Sequence, residues 1–509
     1  MHPTLLSLAL AAGALAAALV RPHDARIVEP RDCRWFDGTR TVAGARSMRA
    51  ECAGARPPGD DTATRRARLV LPDSARLVAG RALTVRIAGA APGETLVVRA
   101  RRTLRVERRT GRRWATVTLP AASEATVVAD GAGQIDLSRA VPVSGTWRDA
   151  DGEALLWSMR EARDTLAGEL DRPSRTVAVA LRHGDTVLDT ATLHLVEPAP
   201  IVTRSVTLDG IAGTLVAPAG ARRRPVVLVL HGSEGADSAS VREMAMPFVA
   251  LGYAAMGVAY YTGGRTGSFA GVPTAFDGID VQGLARLRDW LGAQPEADTA
   301  RTAIWGVSKG GELAMLAASR FRWPRAIVGC VPSDVMWAGF GRQTAQWDTL
   351  VSWRDGAVRL PAIPYVRYER VFADTLVTAR QVHDESRAAV PAPLRVAARI
   401  PVERTRSPLL LIGGDADALW ASGPMVDSIA ATVRRLAPRV PVEAHRYAGA
   451  GHGLCGPGTQ PVPWFGVERD PASLASARAR ADAWRRTVAF LARWLGAPRE
   501  HASRDRASD

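Results

Sequence analysis

From Val226 onward, short apolar runs alternate with longer amphipathic stretches, and few folds satisfy that rhythm. VVLVLH (226–231), AAMGVA (254–259), TAIWGV (302–307), AIVGCV (326–331) and PLLLIGG (408–414) are almost wholly apolar, as strands buried on both faces require. VPVEAHRY (440–447) adds another strand. Between them, SVREMAMPFVALGY, GIDVQGLARLRDWL (278–291) and GGELAMLAAS repeat apolar residues at helical spacing, and a last helix is expected from Ser473 to Leu495. Successive units of this kind build an α/β fold, a doubly wound and mostly parallel sheet with helices on both faces, over residues 203–497. The stretch 332–405, with Trp337, Trp347, Trp353 and scattered prolines, breaks the rhythm and is expected to cap the C-terminal edge of the sheet.

Upstream the period changes to two. Leu83, Val85 and Ile87 alternate with Thr84 and Arg86, and TLVVRA (95–100), TVAVAL (176–181) and TVLDTATLHL (186–195) follow. Turn signals at Pro92-Gly93, Asp130-Gly131 and His183-Gly184-Asp185 separate the runs. Short strands with regular turns predict a small Ig-like antiparallel β-sandwich over residues 69–202. The hairpin-like SVTLDGIAGTLVAP (205–218) leads from it into the sheet. Residues 21–68 show little periodicity and read as a linker, and residues 498–509 as a disordered tail.

The apolar run from Leu5 to Val20, with Ala16-Ala17-Ala18 offering a cleavage site, reads as a secretory signal peptide. It falls short of the roughly 18 to 20 residues of a spanning helix, so no stable membrane span is expected after cleavage. Export would leave the protein periplasmic or secreted, and without a working signal it would be cytoplasmic. Four cysteines are few. Cys33 and Cys52 flank a polar segment and are candidates for a disulfide in an exported protein, while Cys330, ending an apolar run, reads as a buried free thiol. With no CxxC or Cys/His cluster, neither a zinc site nor any cofactor is expected. The net charge of +15 invites a polyanion partner, yet 65 of the 66 basic side chains are arginine, a bias that reads as codon usage. The densest basic stretch, Arg101 to Arg113, lacks interleaved aromatics, so nucleic-acid binding is not expected.

Gly306-Val307-Ser308-Lys309-Gly310 is a G-x-S-x-G motif, and its place between a buried strand and a helix is what a nucleophile elbow needs. Glycines two residues either side let strand and helix approach while Ser308 sits on a strained turn with its hydroxyl presented. A serine hydroxyl is a poor nucleophile without a base, and a base needs a carboxylate to orient it. After such an elbow the partners follow in the order acid, then histidine. His452, in the glycine-flanked GAGHG just past the last strand, is the candidate base; His383 falls in the expected cap and His445 within a strand. GGDADALWAS (413–422) offers two acids: Asp417, favoured for its D-x-x-W spacing, and Asp415, otherwise a turn-capping residue. The oxyanion hole is expected from the N–H of Lys309 and an N–H in His231-Gly232-Ser233-Glu234-Gly235, with Ser233 the candidate and His231 supporting the loop.

The combination of sandwich and elbow resembles the acyl-CoA thioesterase and bile acid-CoA:amino acid N-acyltransferase family, a branch of the α/β-hydrolases. The matching stretches are PGETLVVRA, GAGQIDLSRAVPVSGTW, GEALLWSM, GIAGTLVAP, GYAAMGVAYY, WGVSKGGELAM, GDADALWAS and AGAGHG, between about residues 80 and 495. The elbow alone is common to all α/β-hydrolases, so the sandwich stretches ending in Leu155-Leu156-Trp157-Ser158-Met159 carry the specificity. The resemblance implies cleavage of an acyl thioester through an acyl-enzyme on Ser308, with Asp417 and His452 as partners. Similar proteins that transfer acyl groups to amino acids carry cysteine at the nucleophile, so serine here favours hydrolysis. The alternatives are a secreted carboxylesterase or peptidase on the same scaffold, an acyl transferase, and a non-catalytic binding module, because a fold does not fix a substrate.

Overall fold

The computed structural model describes residues 67–497 apart from 73–74, 79, 111–112, 163–174, 266, 342–350, 374–376 and 460–470, together with two strands further upstream. Those strands, Arg34–Asp37 and Met48–Glu51, pair antiparallel with Arg34 opposite Glu51, in a compact unit separate from the remainder. The expected signal peptide, the C-terminal tail, Trp347, Cys33 and Cys52 lie outside the described residues.

From Ala67 the chain first forms two β-sheets with a shared core. A seven-stranded sheet, built around Thr95–Thr110, Arg113–Val128, Thr176–His183 and Thr186–Val196, faces a three-stranded one of Arg68–Val70, Arg86–Ala88 and Gln134–Asp136. Pairing is antiparallel except between Thr186–Val196 and Arg76–Val78. The two-residue period decides the inside: Leu83, Val85 and Ile87 are buried while Thr84 and Arg86 face water. Leu96, Val98, Val127, Ile135, Leu155, Trp157 and Val179 complete this core.

The second part is an eight-stranded sheet. Its strands are β1 (Ile201–Leu208), β2 (Ile211–Pro218), β3 (Arg224–Leu230), β4 (Ala254–Ala259), β5 (Ala297–Val307), β6 (Ala326–Cys330), β7 (Leu409–Gly414) and β8 (Val442–Tyr447). The spatial order is 1-2-4-3-5-6-7-8, with β2 antiparallel to both neighbours and β4 through β8 parallel. That is an α/β-hydrolase sheet, as the sequence rhythm and the resemblance led us to expect. Helices α1 (Ser238–Ala250), α2 (Gly283–Gly292), α3 (Lys309–Arg320), α4 (Ala379–Ala389), α5 (Ser422–Leu436) and α6 (Pro471–Leu495) pack around it. Helix α2 starts later than its apolar pattern suggests, because Ile279–Asp280 leaves as a short strand pairing with Trp353–Asp355.

Residues 332–405 are well packed where described. Trp337, Trp353 and Ile363 are fully buried in the sheet's main core. Helix α6 belongs to both parts of the unit: Ala477 and Ala481 enter the sandwich core, and Phe490 and Leu491 the sheet core. Its Trp484 Nε1 donates to Gly80 O at 2.9 Å, and Arg485 pairs with Asp151 and Glu153.

Cys330 corrects the sequence reading. It is not a free thiol: its sulfur is bonded to Cys455, 125 residues further along the chain. Burial and an apolar strand are equally compatible with half of a disulfide, and only the sheet topology reveals the partner. The loop after β8 reaches back past the end of β7 to the end of β6.

Candidate active site

Ser308 stands between β5 and α3 with φ 59° and ψ −120°, a conformation that costs a non-glycine residue of order 1 to 3 kcal/mol. Its glycine neighbours permit that turn. A β-carbon at Gly306 would fall 2.1 Å from Gly310 O, and one at Gly310 would fall 2.3 Å from His231 O. The Ser308 N–H donates to Cys330 O on β6 at 3.0 Å, while its side chain makes no capping bond to α3. The residue is 6% exposed.

His452 lies in the loop between β8 and α6, and its Nδ1 is 2.8 Å from Asp417 Oδ2. The other oxygen of Asp417 accepts the N–H groups of Leu419 at 2.9 Å and Trp420 at 3.3 Å, so the carboxylate is aimed by its own turn. Asp415 takes a different route and pairs with Arg446. His452 Nε2 is buried with no hydrogen-bond partner among the described residues. Trp420 packs edge-on against the imidazole, with centroids 5.7 Å apart. His445 remains on β8 and meets none of these groups among the described residues.

Three anchors hold the His452 loop. Ser476 Oγ accepts from Gly451 N at 2.7 Å, and Arg480 donates to Gly453 O from Nε at 3.1 Å and Nη2 at 2.7 Å. Burial pulls the Arg480 guanidinium down to about 10. The third anchor is the Cys330–Cys455 bond.

The loop after β3 closes the other side. His231 is fully buried, stacked on Tyr260 with ring centroids 4.2 Å apart, and its Nδ1 is 2.7 Å from Gly232 O. Burial holds its pKa below the ordinary value, so it is a neutral wedge under the loop. Gly232 is pressed against Ser308: a β-carbon on it would come within 3.2 Å of Ser308 Cβ. Its N–H donates to Glu234 Oε1 at 2.9 Å, a carboxylate beside the serine that sequence reasoning had passed over. Ser233, the neighbour assigned from sequence, is half-buried. Lys309 heads α3, where the first N–H groups have no intrahelical acceptor.

The Lys309 side chain turns away from the serine into the core. Its Nζ is 2.9 Å from both oxygens of Glu312, 3.1 Å from Ser352 Oγ and 3.4 Å from Trp337 O. Glu312 also accepts from Trp353 Nε1 at 2.6 Å and Trp337 N at 3.2 Å. Burial pulls the ammonium down and pushes the carboxyl up, and their mutual attraction opposes both shifts. The pair therefore pins Trp337, Ser352 and Trp353 to the first turn of the elbow helix. Beyond it, His383 sits edge-on to Trp337, Tyr365, Tyr368 and Trp420. No group of His, Cys, Asp and Glu suited to a metal occurs among the described residues.

The chain is similar to known proteins over much of its length. Residues 81–193 match the family described as acyl-CoA thioester hydrolase/BAAT N-terminal region, and residues 285–497 match BAAT/acyl-CoA thioester hydrolase C terminal. Residues 211–333 also match the dienelactone hydrolase family. Among curated relatives, mitochondrial acyl-coenzyme A thioesterase 2 of Mus musculus is 24% identical over 385 residues, covering 72% of this chain and 79% of that protein. Acyl-coenzyme A thioesterase 1 of Homo sapiens is 23% identical over 398 residues, covering 72% and 85%. Among solved structures, an esterase of Pyrococcus furiosus aligns at 15% identity and a TM-score of 0.35, over 58% of this chain and 92% of its own. A dienelactone hydrolase-like promiscuous phosphotriesterase from metagenomic libraries aligns at 17% identity and a TM-score of 0.34, over 58% and 99%.

Proposed function

The chain belongs to the acyl-CoA thioesterase/BAAT family, with both its N-terminal and C-terminal regions present, and on that premise we propose that it is a serine hydrolase cleaving acyl thioesters. The observation that carries the reading furthest is the imidazole of His452, tethered at Nδ1 by Asp417 and unpartnered at Nε2. An imidazole held in that way presents a basic nitrogen in a fixed orientation.

In the first half-reaction Ser308 Oγ attacks the thioester carbonyl carbon while His452 Nε2 takes the hydroxyl proton. The negative oxygen of the tetrahedral intermediate is stabilised by the N–H groups of Lys309 and Ser233. Collapse breaks the C–S bond, and the leaving sulfur takes the proton from His452. Water then attacks the acyl-enzyme with His452 as base, releasing a carboxylic acid and restoring the serine. Asp417 stabilises the imidazolium formed in each half. The reaction needs no metal or cofactor.

A second reading draws on the Cys330–Cys455 bond, since disulfides persist in oxidising compartments. With the apolar N-terminal run, it favours an exported enzyme whose substrates are esters or thioesters other than those of coenzyme A, an intracellular thiol. A hydrolysis panel pairing acyl-CoA with simple thioesters and oxygen esters of the same acyl chain separates the two. The first reading predicts the highest kcat/KM on acyl-CoA and loss of at least about 10³-fold in Ser308→Ala. Preference for simple esters by the wild type, with a mature N-terminus just after Ala18, supports the second. Hydrolysis undiminished in Ser308→Ala contradicts both.

A further inference from the structure

Cys330 touches both halves of the catalytic apparatus. Its carbonyl accepts the Ser308 N–H at 3.0 Å, and its sulfur is bonded to Cys455, three residues after His452. Glycines at 449, 451, 453 and 456 surround the histidine, two of them at positive φ (70° at Gly449 and 101° at Gly456). Such a segment has many conformations open to it and little intrinsic reason to choose one. Its polar anchors come from α6, through Ser476 and Arg480, and from the loop after β7, through Asp417 and the Ala416 N–H, which donates to Ala450 O at 3.0 Å. The disulfide is the direct covalent tie from this loop to the strand beside the serine. We infer that the Cys330–Cys455 bond is a positioning element for His452, and that hydrolysis by this enzyme depends on its being oxidised. The inference rests on the serine-hydrolase reading above and adds to it a dependence on redox state.

The two residues differ in burial: Cys330 is 1% exposed, whereas Cys455 is half-buried, so attack is expected at Cys455. A dithiol reductant attacks Cys455 Sγ as thiolate and expels the Cys330 thiolate, giving a mixed disulfide. The reductant's second thiol then closes on its own bound sulfur and releases Cys455. Two electrons and two protons pass to the protein, which ends with two thiols, and the reductant ends as its cyclic disulfide. Without the tie, the loop keeps its bonds to α6 and to the loop after β7 but loses its registration on β6. Displacement of the imidazole by about 1 Å lowers the rate of proton transfer by up to about 100-fold, with little effect on substrate binding.

The test uses the intact protein, oxidised or reduced with dithiothreitol at assay temperature, and peptide mass spectrometry after alkylation to assign the redox state of Cys330 and Cys455. Substrate hydrolysis and fluorophosphonate labelling of Ser308 are followed in parallel, with near-ultraviolet circular dichroism to verify that the fold persists. The expected result is a fall in kcat of about 10- to 100-fold on reduction, KM within about twofold, a matching fall in labelling rate, and recovery on reoxidation. Cys330→Ala/Cys455→Ala should match the reduced enzyme and ignore dithiothreitol. If that variant fails to fold, reduction of the folded wild type decides alone. Equal kcat in the two verified redox states overturns the inference and leaves the hydrolase reading standing. Absence of both hydrolysis and Ser308 labelling in the oxidised enzyme removes that reading, and this inference with it.

Discussion

Ser308 takes its conformation from a turn whose glycines lie beside it in sequence, with β3 and β6 packed against it, whereas His452 depends on groups brought from β6, α6 and the loop after β7. Around the serine, Gly306 and Gly310 leave no room for a β-carbon. Around the histidine the backbone is glycine-rich, and order comes from Asp417, Ser476, Arg480 and Cys330. A steric constraint of the first kind is written into the turn itself and needs only the adjacent strands. A constraint of the second kind requires the whole sheet to be assembled, and it can be removed without unfolding the rest.

The largest effect that separates the two comes from Asp417→Asn. The amide changes the hydrogen-bonding demand on Nδ1, so the imidazole presents the wrong nitrogen to the serine. A fall of about 10³- to 10⁴-fold in kcat is expected by steady-state assay, while Asp415→Asn, whose carboxylate pairs with Arg446, should stay within about threefold of wild type. Reduction of the disulfide is next, with the 10- to 100-fold range given above. A smaller effect, on stability, should come from His383, which packs against Trp420, as His452 also does. Burial pulls His383 from 6.5 down to about 4, and its bond to Ala379 O offsets part of that shift. The unfolded chain therefore binds this proton at higher pH than the native state does, so stability falls as pH drops from 6.5 through 4. The shift corresponds to roughly 3 kcal/mol, measurable as the difference between denaturant unfolding at pH 7 and pH 4. His383→Phe should flatten that difference; an unchanged acid limb would show that other groups carry it.

The same contrast explains what could be read from the sequence. The elbow was legible because strand, glycines and helix lie within a few residues of Ser308. Asp417 was separable from Asp415 because the turn that aims its carboxylate is made by Leu419 and Trp420, the next residues but one and two. Val85 and Ile87 disclosed their sheet through a period of two, and β3 to β7 through unbroken apolar runs. The partner of Cys330 was illegible because 125 residues and two strand crossings separate the sulfurs. Lys309 was expected to matter through its N–H. Its side chain's pairing with Glu312, Trp337 and Ser352 depends on a segment with no periodic pattern. Glu234 was hidden for a subtler reason: its carboxylate folds back on Gly232, a contact of the side chain that backbone spacing does not encode.

The central claim is that a thioester's acyl group passes through Ser308. Acid quenching of the oxidised enzyme a few milliseconds after mixing with acyl-CoA, followed by peptide mass spectrometry, tests it directly. The peptide containing Ser308 should gain the mass of the acyl group, the adduct should decay in step with product release, and Ser308→Ala should form none. Steady hydrolysis with no acyl adduct at Ser308, or an adduct elsewhere that turns over at the catalytic rate, would contradict it.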